Sequence, residues 1–203
     1  MTGAGKGADR LAFSVNKLAA AISAAVSVQQ VIAYADAWQS VQGKLRQVTT
    51  SQEQLVTVTQ QLITVANATR TGLEPTVDLF TQLSRATDGM GVSQAKLIGL
   101  TKTINNLMLA SGGSADSMKA AITQLGQGLA FGALRGEEFN SVAEQAPLLL
   151  KAIREETGKT VGELRKFAAD GGITTELIIK SLENYGPAAQ KAADAMGKTF
   201  GQS

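Results

Sequence analysis

The chain contains no cysteine and no histidine. The first absence excludes disulfides, thiolate metal sites and Cys nucleophiles; the second removes the commonest general base and the commonest metal ligand. Aromatic residues make up 4% of the 203 positions and prolines number three. That composition suits helices packed through small and medium side chains rather than a sheet sandwich. An excess of one charge is also lacking: 19 basic residues against 17 acidic ones leave a net charge of +2. This is too balanced for the positive field on which non-specific nucleic-acid binding relies, so no specific nucleic-acid partner is expected. Long apolar runs are missing as well. The Ala-rich stretch Leu18–Val28, behind Lys6 and Arg10, imitates a secretory signal, but Asn16 and Lys17 interrupt it. Its dozen or so residues fall short of the roughly 20 that span a bilayer. We read it as a small-residue helix that packs closely against a neighbour, and expect no membrane contact from this module.

What the chain does have is helical spacing. From Val26 to Thr69 there is no proline, and Gly43 is the sole breaker; the pattern predicts one long helix, about 65 Å at 1.5 Å per residue. Tyr34, Val41, Val48, Leu55 and Leu62 recur every seven residues, with Trp38 and Leu45 flanking the stripe early, as in coiled coils. Together Tyr34, Trp38, Val41, Leu45, Val48, Leu55 and Leu62 form a candidate partner or self-association surface. The alternative is a helix folded back on its own domain. Its polar face is Gln, Ser and Thr, lacking the Glu/Lys pairs that set register in dimeric zippers.

Beyond Gly72 shorter helices follow, each with start and stop chemistry. Pro75 suits the first turn of a helix to Thr87. Leu97, Leu100, Ile104 and Leu107 mark a second helix over 93–110. Ser114 can cap a third, bearing Met118, Ile122, Leu125 and Leu129. Phe131 to Gly136 interrupts the pattern, and Glu137 to Gln145 then turns Phe139 and Val142 inward. Pro147 starts the next helix. Thr160 and Glu163 have capping-box spacing. Gly171-Gly172 ends that helix and Thr174 begins another. Gly186-Pro187 is expected to open a final Ala-rich helix. The expected fold class is all-α: a long N-terminal amphipathic helix followed by a bundle of short ones. The expected divisions are a lead-in helix over 1–30, the long helix over 31–70, the bundle over 71–186 and a linker helix over 187–203.

Candidate catalytic groups reduce to helix chemistry. Gly158-Lys159-Thr160 has the ending of a phosphate-binding loop, but position 153 is Ile where the upstream glycine is needed. A helix-ending glycine and a capping threonine account for these residues. Glu137-Glu138 and Glu155-Glu156 are adjacent on helices and point about 100° apart, so neither pair shares a site. No catalytic, cofactor-binding or metal-binding residue is assigned, and no enzyme activity is expected.

The segments Leu134-Arg-Gly-Glu-Glu-Phe-Asn-Ser-Val-Ala-Glu-Gln-Ala-Pro147, Gly158-Lys-Thr-Val-Gly-Glu-Leu164 and Asp170-Gly-Gly-Ile173 resemble the module found near the N-terminus of tail length tape measure proteins of long-tailed bacteriophages and prophages. The likeness runs from about Ile32, through Ala33-Tyr34-Ala35-Asp36-Ala37-Trp38, to about Gly186. The resemblance implies a structural ruler around which tail tube protein polymerises. It also implies tail assembly chaperones and terminator or tip proteins as partners, self-association of tape copies, and a place in the virion tail after assembly in the host cytoplasm. It brings no catalytic residues. Drawn out as one helix, 203 residues would reach only about 300 Å, so the chain reads as one module of a longer tape. The competing readings are a membrane-active or stand-alone helical interaction protein, and a cell-wall hydrolase, for which the site chemistry is lacking.

Overall fold

The computed structural model describes residues 28–112 and 115–200, with side chains placed over 35–112 and 116–196. The described residues are helical throughout, in nine helices with no strands; the all-α class holds. They are α1 (Val28–Arg46), α2 (Gln52–Thr69), α3 (Leu73–Ala86), α4 (Gln94–Ala110), α5 (Ala115–Ala130), α6 (Gly136–Gln145), α7 (Pro147–Thr157), α8 (Val161–Ala169) and α9 (Thr175–Phe200). The proposed lead-in segment and the Ser114 cap lie outside the described residues. The chain divides into two units between Ser40 and Val41, inside the span of α1. Of the first unit the described part is helical, and every side chain from Ala35 to Ser40 is exposed. The second unit holds all the described core residues.

The expected long helix is two helices. Thr49 Oγ1 donates back to the Leu45 carbonyl at 2.9 Å, a local bond that competes with helix continuation. Ser51 is extended (φ −146°, ψ 160°), and its hydroxyl accepts from the Gln54 amide. Gln54 Oε1 in turn accepts from the Thr50 backbone N–H at 2.7 Å. These bonds satisfy free amides at a helix start, so α2 begins afresh at Gln52. The end of α1 meets α2 through Gln42 Nε2, which donates to Thr59 Oγ1 at 3.3 Å, and α3 through Lys44, whose Nζ lies 2.5 Å from Asp78 Oδ1.

Each later helix adds one apolar stripe to one continuous core: Val77, Phe80 and Leu83 from α3; Leu97, Leu100, Ile104 and Leu107 from α4; Ile122, Leu125 and Leu129 from α5; Phe139 and Val142 from α6; Leu149 and Ile153 from α7; Leu164 from α8; Ile178 and Leu182 from α9. Burying one such side chain stabilises by about 1.5–3 kcal/mol, so the stripes dominate the fold. Where α2, α3 and α4 meet, the contact is polar instead. Buried Asn105 Nδ2 donates to Thr71 Oγ1 at 2.9 Å and Thr76 Oγ1 at 3.0 Å, and Thr69 Oγ1 lies 2.7 Å from Thr71 Oγ1.

The second correction concerns the C-terminus. Gly186-Pro187 does not open a new helix; α9 runs unbroken from Thr175 to Phe200 with Pro187 inside it. It lies along α4 in the same direction, with Lys96 Nζ 2.6 Å from Glu183 Oε1 and Asn106 Nδ2 donating to Gln190 Oε1 at 3.2 Å. Ala189 and Ala193 are buried beyond the proline. Their burial carries the helix across a residue that lacks an amide hydrogen and removes one backbone bond.

Candidate interaction surfaces

Two of the three segments that carried the family resemblance, those starting at Leu134 and ending at Ile173, meet in one feature. The residues after α5 pair with those before α9: the Leu134 N–H donates to the Ile173 carbonyl at 2.9 Å, and the Thr175 N–H to the Gly132 carbonyl at 3.1 Å. Ala133 and Thr174 form an isolated antiparallel bridge between them. Leu134 and Ile173 are both fully buried. Two net hydrogen bonds are worth about 1 kcal/mol each, less than the burial of these two side chains at about 2 kcal/mol each. The clasp is therefore mainly apolar, with the hydrogen bonds setting register. Gly171 turns at φ +76° beneath the Arg135 guanidinium, and a Cβ there would strike it; one at Gly172 would strike the Phe167 ring. That ring carries the Lys159 ammonium 5.0 Å from its centroid.

Between the ends of the clasp, α7 stops at Gly158 in the left-handed conformation (φ +66°), and α8 starts with the Thr160–Glu163 capping box, both halves formed. The Thr160 backbone N–H and then its hydroxyl hold the Glu163 carboxyl below its ordinary range. Glu156 is held low by Lys180 and then by Asn184, which donate to it at 2.7 Å each and tie α7 to α9. Burial alone would lower the Lys44 pKa, but the hydrogen bond and charge of Asp78, with Glu74, outweigh it and leave the pKa raised. These ion pairs bind helix to helix. Among the described residues, no group of three or more carboxylates could hold a metal ion, and no helix is long and apolar enough to cross a membrane.

Of the seven residues assigned to a partner surface, Val41, Leu45, Leu55 and Leu62 are buried in the second unit's own core, and Val48 is half-buried against it. From Val41 on, these stripe residues are therefore part of the core and not free surface. Trp38 is different: it is 46% exposed. The Tyr34 side chain lies outside the described residues.

Among the described residues, the most exposed large apolar side chain was not picked out from the sequence. Phe131, in the turn that opens the clasp, is 81% exposed. A signal existed: Phe131 falls two residues after Leu129 and off the stripe formed by Ile122, Leu125 and Leu129. It follows that the side chain cannot share that stripe's buried face.

Comparison with known proteins bears directly on this geometry. A family model described as "Tape measure protein" matches residues 29–203. Two curated relatives, each named "Probable tape measure protein", come from Lactococcus phage p2 and Lactococcus phage SK1. Each is 24% identical over 149 residues, covering 70% of this chain. The chain spans 14% of the length of these relatives. No solved structure matches it. The family match covers the whole described helical array, clasp included, and the chain belongs to the tape measure protein family.

Proposed function

We propose that this chain is a folded helical module of a phage tail ruler, acting through interactions rather than chemistry during tail tube polymerisation. The observation that carries the reading is the family match across residues 29–203, a span that takes in the clasp between Leu134 and Ile173. The ruler itself is the longer protein of which the relatives are examples. This module's share is to gather tape copies or to engage the tail tube protein, the assembly chaperones and the terminator or tip proteins. Trp38 and Phe131 are exposed aromatic groups of the kind that anchor interfaces, and Tyr34 precedes Trp38 by four residues, one helical turn. The module works in the host cytoplasm while tails assemble and is found afterwards in the virion tail.

The test is genetic and direct. Removing residues 29–203 from the phage should give tails of uncontrolled length or none, and an antibody raised to residues 130–180 should detect the chain in purified wild-type tails. Tails of normal length formed without these residues would refute the reading.

A further inference from the structure

The turn between α2 and α3 is built unlike the other tight turns of the chain. Arg70 sits there at φ +53° and ψ +27°, closing α2 with its own N–H on the Asn67 carbonyl and the Thr71 N–H on the Ala66 carbonyl. This closure ordinarily takes glycine. Seven other described residues have positive φ, and all are glycines; Arg70 is the one non-glycine among the described residues. An L side chain in this conformation favours any rearrangement that releases it by roughly tenfold.

The neighbouring residues set what the released state looks like. Gly72 is already extended (φ −63°, ψ 150°). Pro75, in the first turn of α3, has no N–H to give the Thr71 carbonyl, and its ring would collide with it. Fusing the two helices would put Pro75 inside one helix, as Pro187 is in α9, at a cost of roughly 3 kcal/mol; an extended Arg70-Thr71-Gly72 avoids that cost and is the relaxed hinge.

We propose that the arm Val41–Thr69 exchanges between two copies of this chain, hinged at Arg70–Gly72, so that α2 of one copy lies on α3 and α4 of the other. Exchange keeps the contacts the arm makes at home, because the partner presents the same surface. Buried Leu55, Val58 and Leu62 find the same apolar bed, and Gln54 Nε2 still reaches Gln94 Oε1, 2.5 Å away in the closed chain. What changes is the hinge: two strained Arg70 residues are relaxed per dimer, against the loss of the bonds that Thr71 makes in the closed turn, its N–H to the Ala66 carbonyl and its hydroxyl with Thr69 and Asn105; short hinges under strain favour swapping. The proposal uses only the hinge and the arm, and stands apart from the role in tails.

The absence of native cysteine makes the test clean. Gln54→Cys and Gln94→Cys chains are purified separately, mixed in equal amounts, unfolded in urea, refolded at high concentration and treated with a short bismaleimide that spans the reach of the two replaced glutamine side chains. A crosslinked heterodimer, several-fold above the dimer each variant gives alone, is expected. The double variant Q54C/Q94C reports that the pair is close in the folded chain. If it closes within one chain while the mixture yields no heterodimer, the proposal is overturned. Arg70→Gly removes the strain and should weaken the dimer roughly a hundredfold, tenfold for each hinge. A dimer fraction unchanged by R70G would equally overturn it.

Discussion

At the scale of single residues, close approach and capping decide more than helix propensity does. Gly128 lies inside α5, where alanine would ordinarily stabilise by about 1 kcal/mol. A Cβ there would meet Leu134 Cδ1 at 2.6 Å and the Leu134 Cα at 3.1 Å, and Leu134 is held by the clasp. Overpacking of that kind costs about 1–3 kcal/mol, so Gly128→Ala should lower the urea midpoint with an unchanged slope. A second prediction concerns Glu163, whose folded pKa is depressed by Thr160. Its contribution to stability is full above the ordinary glutamate value of about 4.3 and is lost as pH falls through the lowered value. Glu163→Gln keeps a capping side chain without the titration, so its melting temperature should fall less than that of the parent between about pH 5 and pH 3. The capping box was legible because Thr160 and Glu163 announce it by spacing alone. The glycine contacts were not, since nothing local to Gly128 or Gly171 says which distant side chain will lie against it.

At the scale of elements, the two departures from the sequence-based expectation have different causes. A heptad stripe reads the same whether a helix continues or folds back after a short turn. Val48 and Leu55 keep their seven-residue spacing across the break at residues 47–51. The available cue was Ser51 followed by Gln54, the spacing of a helix start, set inside a run otherwise free of breakers. At Pro187 the local signal was sound and tertiary packing overrode it: Ala189 and Ala193 are buried, and α9 continues. The proline still costs one backbone bond. Pro187→Ala should therefore stabilise the chain by about 1–3 kcal/mol, seen as a higher melting temperature with unchanged helical dichroism. A fall in melting temperature would mean that the rigidity of Pro187 matters more than the missing bond.

At the scale of the whole molecule, the described core lies wholly in the second unit. Every described core residue lies at Val41 or later, while Trp38, the chain's single tryptophan, lies before it and is exposed. Trp38→Ala should keep the melting temperature within about 2 °C, since changes at exposed positions rarely exceed 0.5 kcal/mol. A drop of about 10 °C would show that the Trp38 side chain contributes to stability. The all-α class was legible from composition and spacing. So was the family, from segments of the chain that turn out to fix the geometry of the clasp.

That clasp makes residues 133–174 a parenthesis in the chain. The backbone leaves α5, completes three helices, and returns to within hydrogen-bonding distance of its point of departure before starting α9. The distance from the end of α5 to the start of α9 is thus set by Leu134 and Ile173 and not by the length of what lies between. Residues inserted in the turns on either side of α7 lengthen the chain inside the parenthesis while the pairing of Leu134 with Ile173 still joins the two outer helices.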